Sequence, residues 1–191
     1  MEQTIKAIIQ ASIDTKEKVL QNESMIARIK QATDLTTQTF KKGSRVWFCG
    51  NGGSAADAQH LAAEFSGRFY KNRLALPAEA LHCNTSYLTA VANDFGYNEI
   101  YARLVEGIMP AGDILFGFST SGNSPNIVAA FEVARKKGVH TIGFTGANGG
   151  QIRSLSDILF DVPSDDTPRI QESHIMIGHI ICQLVEETYF A

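Results

Sequence analysis

From Gln3 to about Phe40, apolar residues recur at helical spacing (Ile5, Ile8, Ile9 and Ile13, then Val19, Leu20, Met25, Ile26 and Ile29), with no Pro or Gly to interrupt them. Two helices are predicted there. Gly43 closes that region, and the short apolar run Arg45 to Cys49 leads into Gly50-Asn51-Gly52-Gly53-Ser54 and an Ala-rich stretch reaching about Phe69. That order reads as strand, glycine loop, helix.

The unit recurs. Ala78 to Cys83 is a candidate strand with a helical stretch through Tyr87 and Val91, and Asn98 to Met109 reads as a further helix. Asp113 to Ser119 is a buried strand, followed by Thr120-Ser121-Gly122-Asn123-Ser124-Pro125 and a helix from Ile127 to Lys137 that Gly138 stops. His140 to Thr145 is a strand, Gly149 to Leu155 a short helix, and Ile158 to Val162 a last strand before a long helix from about Thr167 to Tyr189. Strands alternating with helices predict an α/β fold, a parallel sheet with helices on both faces, preceded by N-terminal helices. Residues 1–42 are read as an N-terminal helical segment and 43–191 as one compact unit, since no Gly/Ser-rich or Pro-rich linker divides the chain.

The final helix is apolar around much of its circumference, through Ile170, Ile175, Met176, Ile177, Ile180, Ile181, Leu184 and Val185. Such a helix needs burial on most sides. Either a symmetric oligomer or a clamp between the sheet and the leading helices of the same chain provides it, and self-association is the expectation.

Composition narrows the partners. The chain has 191 residues, 44% hydrophobic and 19% charged, which suits one folded unit. Seventeen Lys and Arg against 20 Asp and Glu give a net charge of -3, so no general attraction to nucleic acid or a membrane surface is expected. An anion must be held locally. Cys49, Cys83 and Cys182 lack C-x-x-C spacing and are read as small buried apolar residues in a reducing compartment. Glu2, Lys6 and Asp14 interrupt the opening apolar pattern, which argues against a signal peptide, and no run approaches the roughly 20 apolar residues of a membrane span. A cytoplasmic location is the default.

In an open parallel sheet, ligands bind outside the carboxyl ends of the strands. The loop Ser119 to Ser124 offers hydroxyls, a permissive glycine and a helix N-terminus, a natural setting for phosphate. It has no Walker Lys and no G-x-G-x-x-G, which weakens a nucleotide reading. The alternative is an ordinary helix cap. Gly50 to Ser54 lets backbone approach a ligand, and Asn51 adds an amide that can read hydroxyls; a plain tight turn is the other reading. His60 and Glu64 stand four residues apart, about one turn along the same helix face, where they can chelate a metal, pair as acid and base, or form a solvated surface pair. Gln171 and His179 lie eight residues apart, roughly 12 Å along the axis and rotated by about 80 degrees, so both reach one centre only by leaning toward it or across chains. His174 points elsewhere and is read as a polar-face histidine.

Taken together, Cys49-Gly-Asn-Gly-Gly-Ser-Ala-Ala-Asp57, His60-Leu-Ala-Ala-Glu64 with Gly67-Arg68, Ala92-Asn-Asp94, Ser119-Thr-Ser-Gly-Asn-Ser124 and Arg169-Ile-Gln-Glu172 through His179 resemble the phosphoheptose isomerases. These are a branch of the sugar isomerase (SIS) domain family. The resemblance implies a flavodoxin-like fold, a homotetramer with sites at subunit interfaces, and conversion of sedoheptulose 7-phosphate to D-glycero-D-manno-heptose 7-phosphate for bacterial surface polysaccharide. It makes Ser119, Thr120, Ser121 and Ser124 the phosphate cradle, and Asn51, Gly52, Gly53, Glu64, Asn93, Asp94 and Gln171 substrate contacts. Glu64 and His179 become the catalytic pair, and zinc is implied on His60, Glu64, Gln171 and His179. Some members carry Asp where this chain has Pro168, so no role is assigned there.

The residue types suit an aldose–ketose exchange, because moving a carbonyl through an enediol needs one base at carbon and one acid or base at oxygen. A carboxylate tied to a metal is a weaker base, so Glu64 as free base and Glu64 as ligand remain two readings. Sugar-phosphate sensors and replication-initiator-binding adaptors of the same family are the rival, and they resemble the chain around Tyr87 to Asp94. A histidine at 179 and an uninterrupted Ser119 to Ser124 set this chain apart from those adaptors.

Overall fold

The computed structural model describes all 191 residues. Two leading helices, α1 (Glu2–Leu20) and α2 (Glu23–Lys41), precede β1 (Val46–Gly50), α3 (Gly53–Ser66), β2 (Ala78–Ala80), α4 (Thr85–Phe95) and α5 (Ile100–Ile108). They are followed by β3 (Ile114–Phe118), α6 (Pro125–Lys137), β4 (His140–Thr145), β5 (Ile158–Asp161) and α7 (Thr167–Tyr189). Asn22 caps α2 by accepting from the Met25 amide, and Gly138, at φ 73°, ends α6 in the left-handed conformation that glycine adopts without a Cβ penalty.

All five strands are parallel, in the order β2-β1-β3-β4-β5. The register sets Val46 beside both Ala78 and Ile114, and Ile114 beside His140. From β1 the chain steps outward to β2, then returns to the other side of β1 and grows through β3 to β5. The direction of winding therefore switches between β1 and β3, where a crevice opens at the carboxyl ends of the strands. This is the flavodoxin-like order that the resemblance implied.

Alternation along each strand builds two cores. Phe48, Phe116, Phe118, Phe144 and Phe160 face α2, α3 and α7 and stack across the sheet, with Phe118 and Phe144 centroids 4.4 Å apart. Trp47, Cys49 and Leu115 point to the opposite side, against Tyr101, Ile127 and Phe131 of α5 and α6. Gly117 lets Phe131 lie on the strand, since a Cβ there would stand 2.3 Å from its ring. Val19, Met25 and Ile29 join Ile177, Ile181 and Val185 in the first core, so the leading helices cover one side of α7. Ile175, Met176 and Ile180 remain half-buried and Leu184 exposed.

Several expectations are corrected. The strand predicted to reach Cys83 stops at Ala80, and the helix predicted to reach Phe69 stops at Ser66. Cys49 and Cys182 are buried, but Cys83 is exposed, because it sits in the turn beyond β2 rather than in the sheet. His174 is fully buried between Phe118 and Phe144, with Nε2 at 3.1 Å from the Thr145 carbonyl, and is no polar-face residue. The face of α7 that carries it is turned onto β4.

Candidate active site

Both loops at the crevice are shaped by glycine. A Cβ on Gly50 would lie 2.4 Å from the Ser54 carbonyl oxygen, so only glycine permits the turn from β1 into α3. Tyr101 donates its hydroxyl to the Gly50 carbonyl at 2.5 Å and holds the turn from the far side of the sheet. After β3, Ser119 Oγ lies 2.8 Å from Ser124 Oγ, and Ser121 Oγ accepts from the Asn123 amide at 3.1 Å. Gly122, at φ 67°, rests on the loop after β4, where a Cβ would stand 2.1 Å from the Gly149 carbonyl oxygen. Ser124 is the N-cap of α6, with Pro125 in the first turn, so the serine hydroxyls sit where the helix dipole favours an anion. A cavity of about 360 Å³ opens beside this loop, lined by Thr120, Ser121, Asn148, Asp165 and Thr167 among others.

The second part of the site lies between α3 and α7. His60, Glu64 and His179 bring one ligand atom each to within 4.8 Å of one another. His60 Nε2 is 3.0 Å from His179 Nε2 and 3.2 Å from a carboxylate oxygen of Glu64. The close approach of the helices depends on the residue beside His179: a Cβ on Gly178 would stand 2.4 Å from Leu61, the neighbour of His60. Burial foremost, then the adjacent His60, push the His179 pKa down, while Glu64 pulls it up. A neutral imidazole is the form that binds a metal or accepts a proton. Two imidazoles and a carboxylate in this arrangement fit a borderline-soft divalent ion such as zinc.

The wall beside His179 is a clamped loop. Phe69 packs on His179 with ring centroids 5.7 Å apart. Glu186, deep in α7, accepts from the amides of Phe69 (3.0 Å), Tyr70 (2.7 Å) and Lys71 (2.8 Å) and from Arg73 Nε (2.8 Å). Burial alone would raise this carboxyl, but the three amides and Arg73 outweigh it and bring the pKa down to about 2.

Among the residues singled out in the sequence, His60, Glu64 and His179 come together, as do Ser119, Ser121 and Ser124. Gln171 stands on the same helix as His179 and lays its amide against Gly53, about 3 Å from where a Cβ would be. Asn93 and Asp94 lie exposed in the last turn of α4, joined to each other by a 2.8 Å hydrogen bond. The sequence reading missed Gly178, Tyr101, the Arg73–Glu186 clamp and Asn126, whose side chain pairs with Asn51. A small residue inside a bulky apolar helix and an Asn directly after Ser-Pro were the available signals for two of them.

Comparison with known proteins extends the picture. The SIS domain family matches residues 9–146. A phosphoheptose isomerase of Clostridium acetobutylicum is 50% identical over 190 residues, covering 100% of this chain and 97% of that protein. The solved structure of a phosphoheptose isomerase from Neisseria gonorrhoeae superposes with a TM-score of 0.91 at 38% identity, covering 97% of this chain and 98% of that one. One from Francisella tularensis gives 0.92 at 33% identity and 97% coverage of both.

Proposed function

The chain belongs to the phosphoheptose isomerases of the SIS domain family, and from that premise we propose that it converts sedoheptulose 7-phosphate to D-glycero-D-manno-heptose 7-phosphate, an early step toward bacterial surface heptose. The observation that carries this reading is the convergence of Glu64 and His179, from two different helices, in a chain whose serine loop is suited to phosphate. Ser119, Thr120, Ser121 and Ser124 hold the phosphate, while Asn51, Gly52, Gly53, Asn93, Asp94 and Gln171 contact the sugar. As a free base, Glu64 takes the proton from one carbon to give the enediol and returns it to the neighbouring carbon. One of its oxygens faces His60, and the other has no protein partner. His179 moves the proton between the two oxygens, aided by a pKa already lowered by its surroundings.

In the other reading of Glu64, as ligand, His60, Glu64 and His179 would hold zinc, with Gln171 as the further ligand that the resemblance implies, and the metal would supply Lewis-acid stabilisation of negative charge on the substrate oxygens. Ile5, Ile8, Ile9, Ile13 and Leu20 of α1 are exposed in the single chain, and they support a homotetramer. No helix is long and apolar enough to cross a membrane, in keeping with a cytoplasmic enzyme. The test is to incubate the purified protein with a panel of ketose phosphates and follow aldose formation by NMR: the heptulose phosphate should turn over fastest. An inert protein that still bound it would be a sensor rather than an isomerase.

A further inference from the structure

The glycine loop and the serine loop leave adjacent strands on either side of the crevice, and one contact joins them. The side-chain amides of Asn51 and Asn126 pair reciprocally: Asn51 Nδ2 donates to Asn126 Oδ1 at 2.9 Å, and Asn126 Nδ2 donates to Asn51 Oδ1 at 2.8 Å. Asn126 is 1% exposed and lies in the first turn of α6, two residues beyond Ser124. The Tyr97 hydroxyl donates to the same Asn51 oxygen at 3.2 Å. A primary amide has two N–H donors and two lone pairs on oxygen. At Asn51 both lone pairs and one N–H are therefore taken, which leaves one N–H for a ligand.

We propose that Asn126 is a positioning residue that holds the Asn51 amide in place, so that in this arrangement the Asn51 side chain offers a sugar phosphate a hydrogen-bond donor and no acceptor. Turning Asn51 alone through half a circle would set N–H against N–H and oxygen against oxygen across the pair. The loop that grips the phosphate thus also orients the loop that meets the sugar. A donor held in place before the reaction favours a substrate oxygen that gains negative charge, as a carbonyl oxygen does on the way to an enediolate, because it need not reorient at that moment. This rests on the proposed reading of Asn51 as a substrate contact, and it adds a residue that touches no substrate itself.

The test is a double-mutant cycle on the full chain with Asn51→Ala and Asn126→Ala, read as kcat and KM for sedoheptulose 7-phosphate. Asn126→Ala should lower kcat/KM by roughly tenfold or more, mainly in kcat, and the double variant should be no worse than Asn51→Ala alone. Losses that multiply would mean that Asn126 acts on the fold rather than through Asn51, and an unchanged kcat/KM would equally overturn the proposal. Asn126→Asp keeps the shape and removes the donor to Asn51, so it should reproduce the loss if the Ala variant folds poorly. Should the wild-type protein bind the heptulose phosphate without isomerising it, the proposed function fails, yet the same cycle read as calorimetric affinity still decides the positioning role. Without any substrate, the Asn126 side-chain amide should exchange slowly in the wild type and quickly in Asn51→Ala; rapid exchange in the wild type would remove the pair.

Discussion

His60 and His179 face each other across two helices with their Nε2 atoms 3.0 Å apart, and Glu64 stands on the same side as both. Two lone pairs cannot point at each other at that distance without a proton or a cation to share. The expected outcome is one zinc per chain in protein purified without chelators, measured by elemental analysis, with occupancy falling by more than half in His60→Ala. Activity should fall on chelation and return with zinc. Chelator-insensitive turnover in protein shown to be metal-free would leave Glu64 as a plain base.

Removing either member of the proposed catalytic pair should be costly while the fold survives. Glu64→Gln keeps the shape and deletes the basic carboxylate, and His179→Asn deletes the imidazole but keeps a polar side chain; each should lower kcat by roughly 10²-fold or more. Groups that act on one enediol step behave as a unit, so the double variant should lose much less than the product of the single losses. A folded single variant with wild-type turnover would withdraw that residue's role.

The helix contact beneath the pair gives a geometric control. Gly178→Val would push α7 off Leu61 of α3, where even a Cβ comes within 2.4 Å. Overpacking of this kind costs about 1–3 kcal/mol, and it should depress kcat and zinc occupancy together. Thermal unfolding with metal analysis reads both, and full zinc binding in Gly178→Val would show that the helices need not lie so close.

Phosphate recognition should dominate substrate binding, because charge-assisted hydrogen bonds are the stronger kind and the chain has no general positive charge to help. Sedoheptulose lacking its phosphate should be a very poor substrate at matched concentration. Equal turnover of the two sugars would refute the role given to Ser119 through Ser124.

Stability should fall on acidification in two steps. Burial foremost, offset in part by the Thr145 carbonyl, pushes the His174 pKa from 6.5 down to about 4. The unfolded chain takes up that proton near 6.5 and the folded chain only near 4, so stability is complete above 6.5 and declines between the two, by on the order of 3 kcal/mol. Glu186, lowered from 4.5 to about 2 by its amide and Arg73 partners against the effect of burial, adds stability that is present above 4.5 and lost toward 2. Urea midpoints measured from neutral pH down to 4 should trace the first step, and His174→Gln should flatten it. An unaltered slope in that variant would assign the step to other groups.

The alternation of apolar runs with loops made the strands and the long helices legible, most clearly at the centre of the sheet, where β1 and β3 are buried along their whole length and read as unbroken apolar stretches. The glycine and serine loops stood out because runs of small and hydroxyl residues directly after apolar strands are visible in the sequence itself. The meeting of His60 with His179 was only half visible: helical spacing paired His60 with Glu64, but a contact across 119 residues depends on how α7 lies over α3, which Gly178 decides. His174 was misread because a histidine between Ser173 and Ile175 gives no sign of the carbonyl that partners it. Asn126 was missed for a similar reason, since its partner comes from another strand's loop.

The proposed function has Glu64 and His179 carry a carbonyl from one carbon of a sugar phosphate to the next. It is tested most directly by adding sedoheptulose 7-phosphate to the wild-type protein and to Glu64→Gln in deuterated buffer and following both by NMR. The wild type should yield a new aldose phosphate with deuterium at C2, and the variant should lose both signals. A ketose left unchanged by the wild type, or equal deuterium uptake with and without the Glu64 carboxylate, would contradict it.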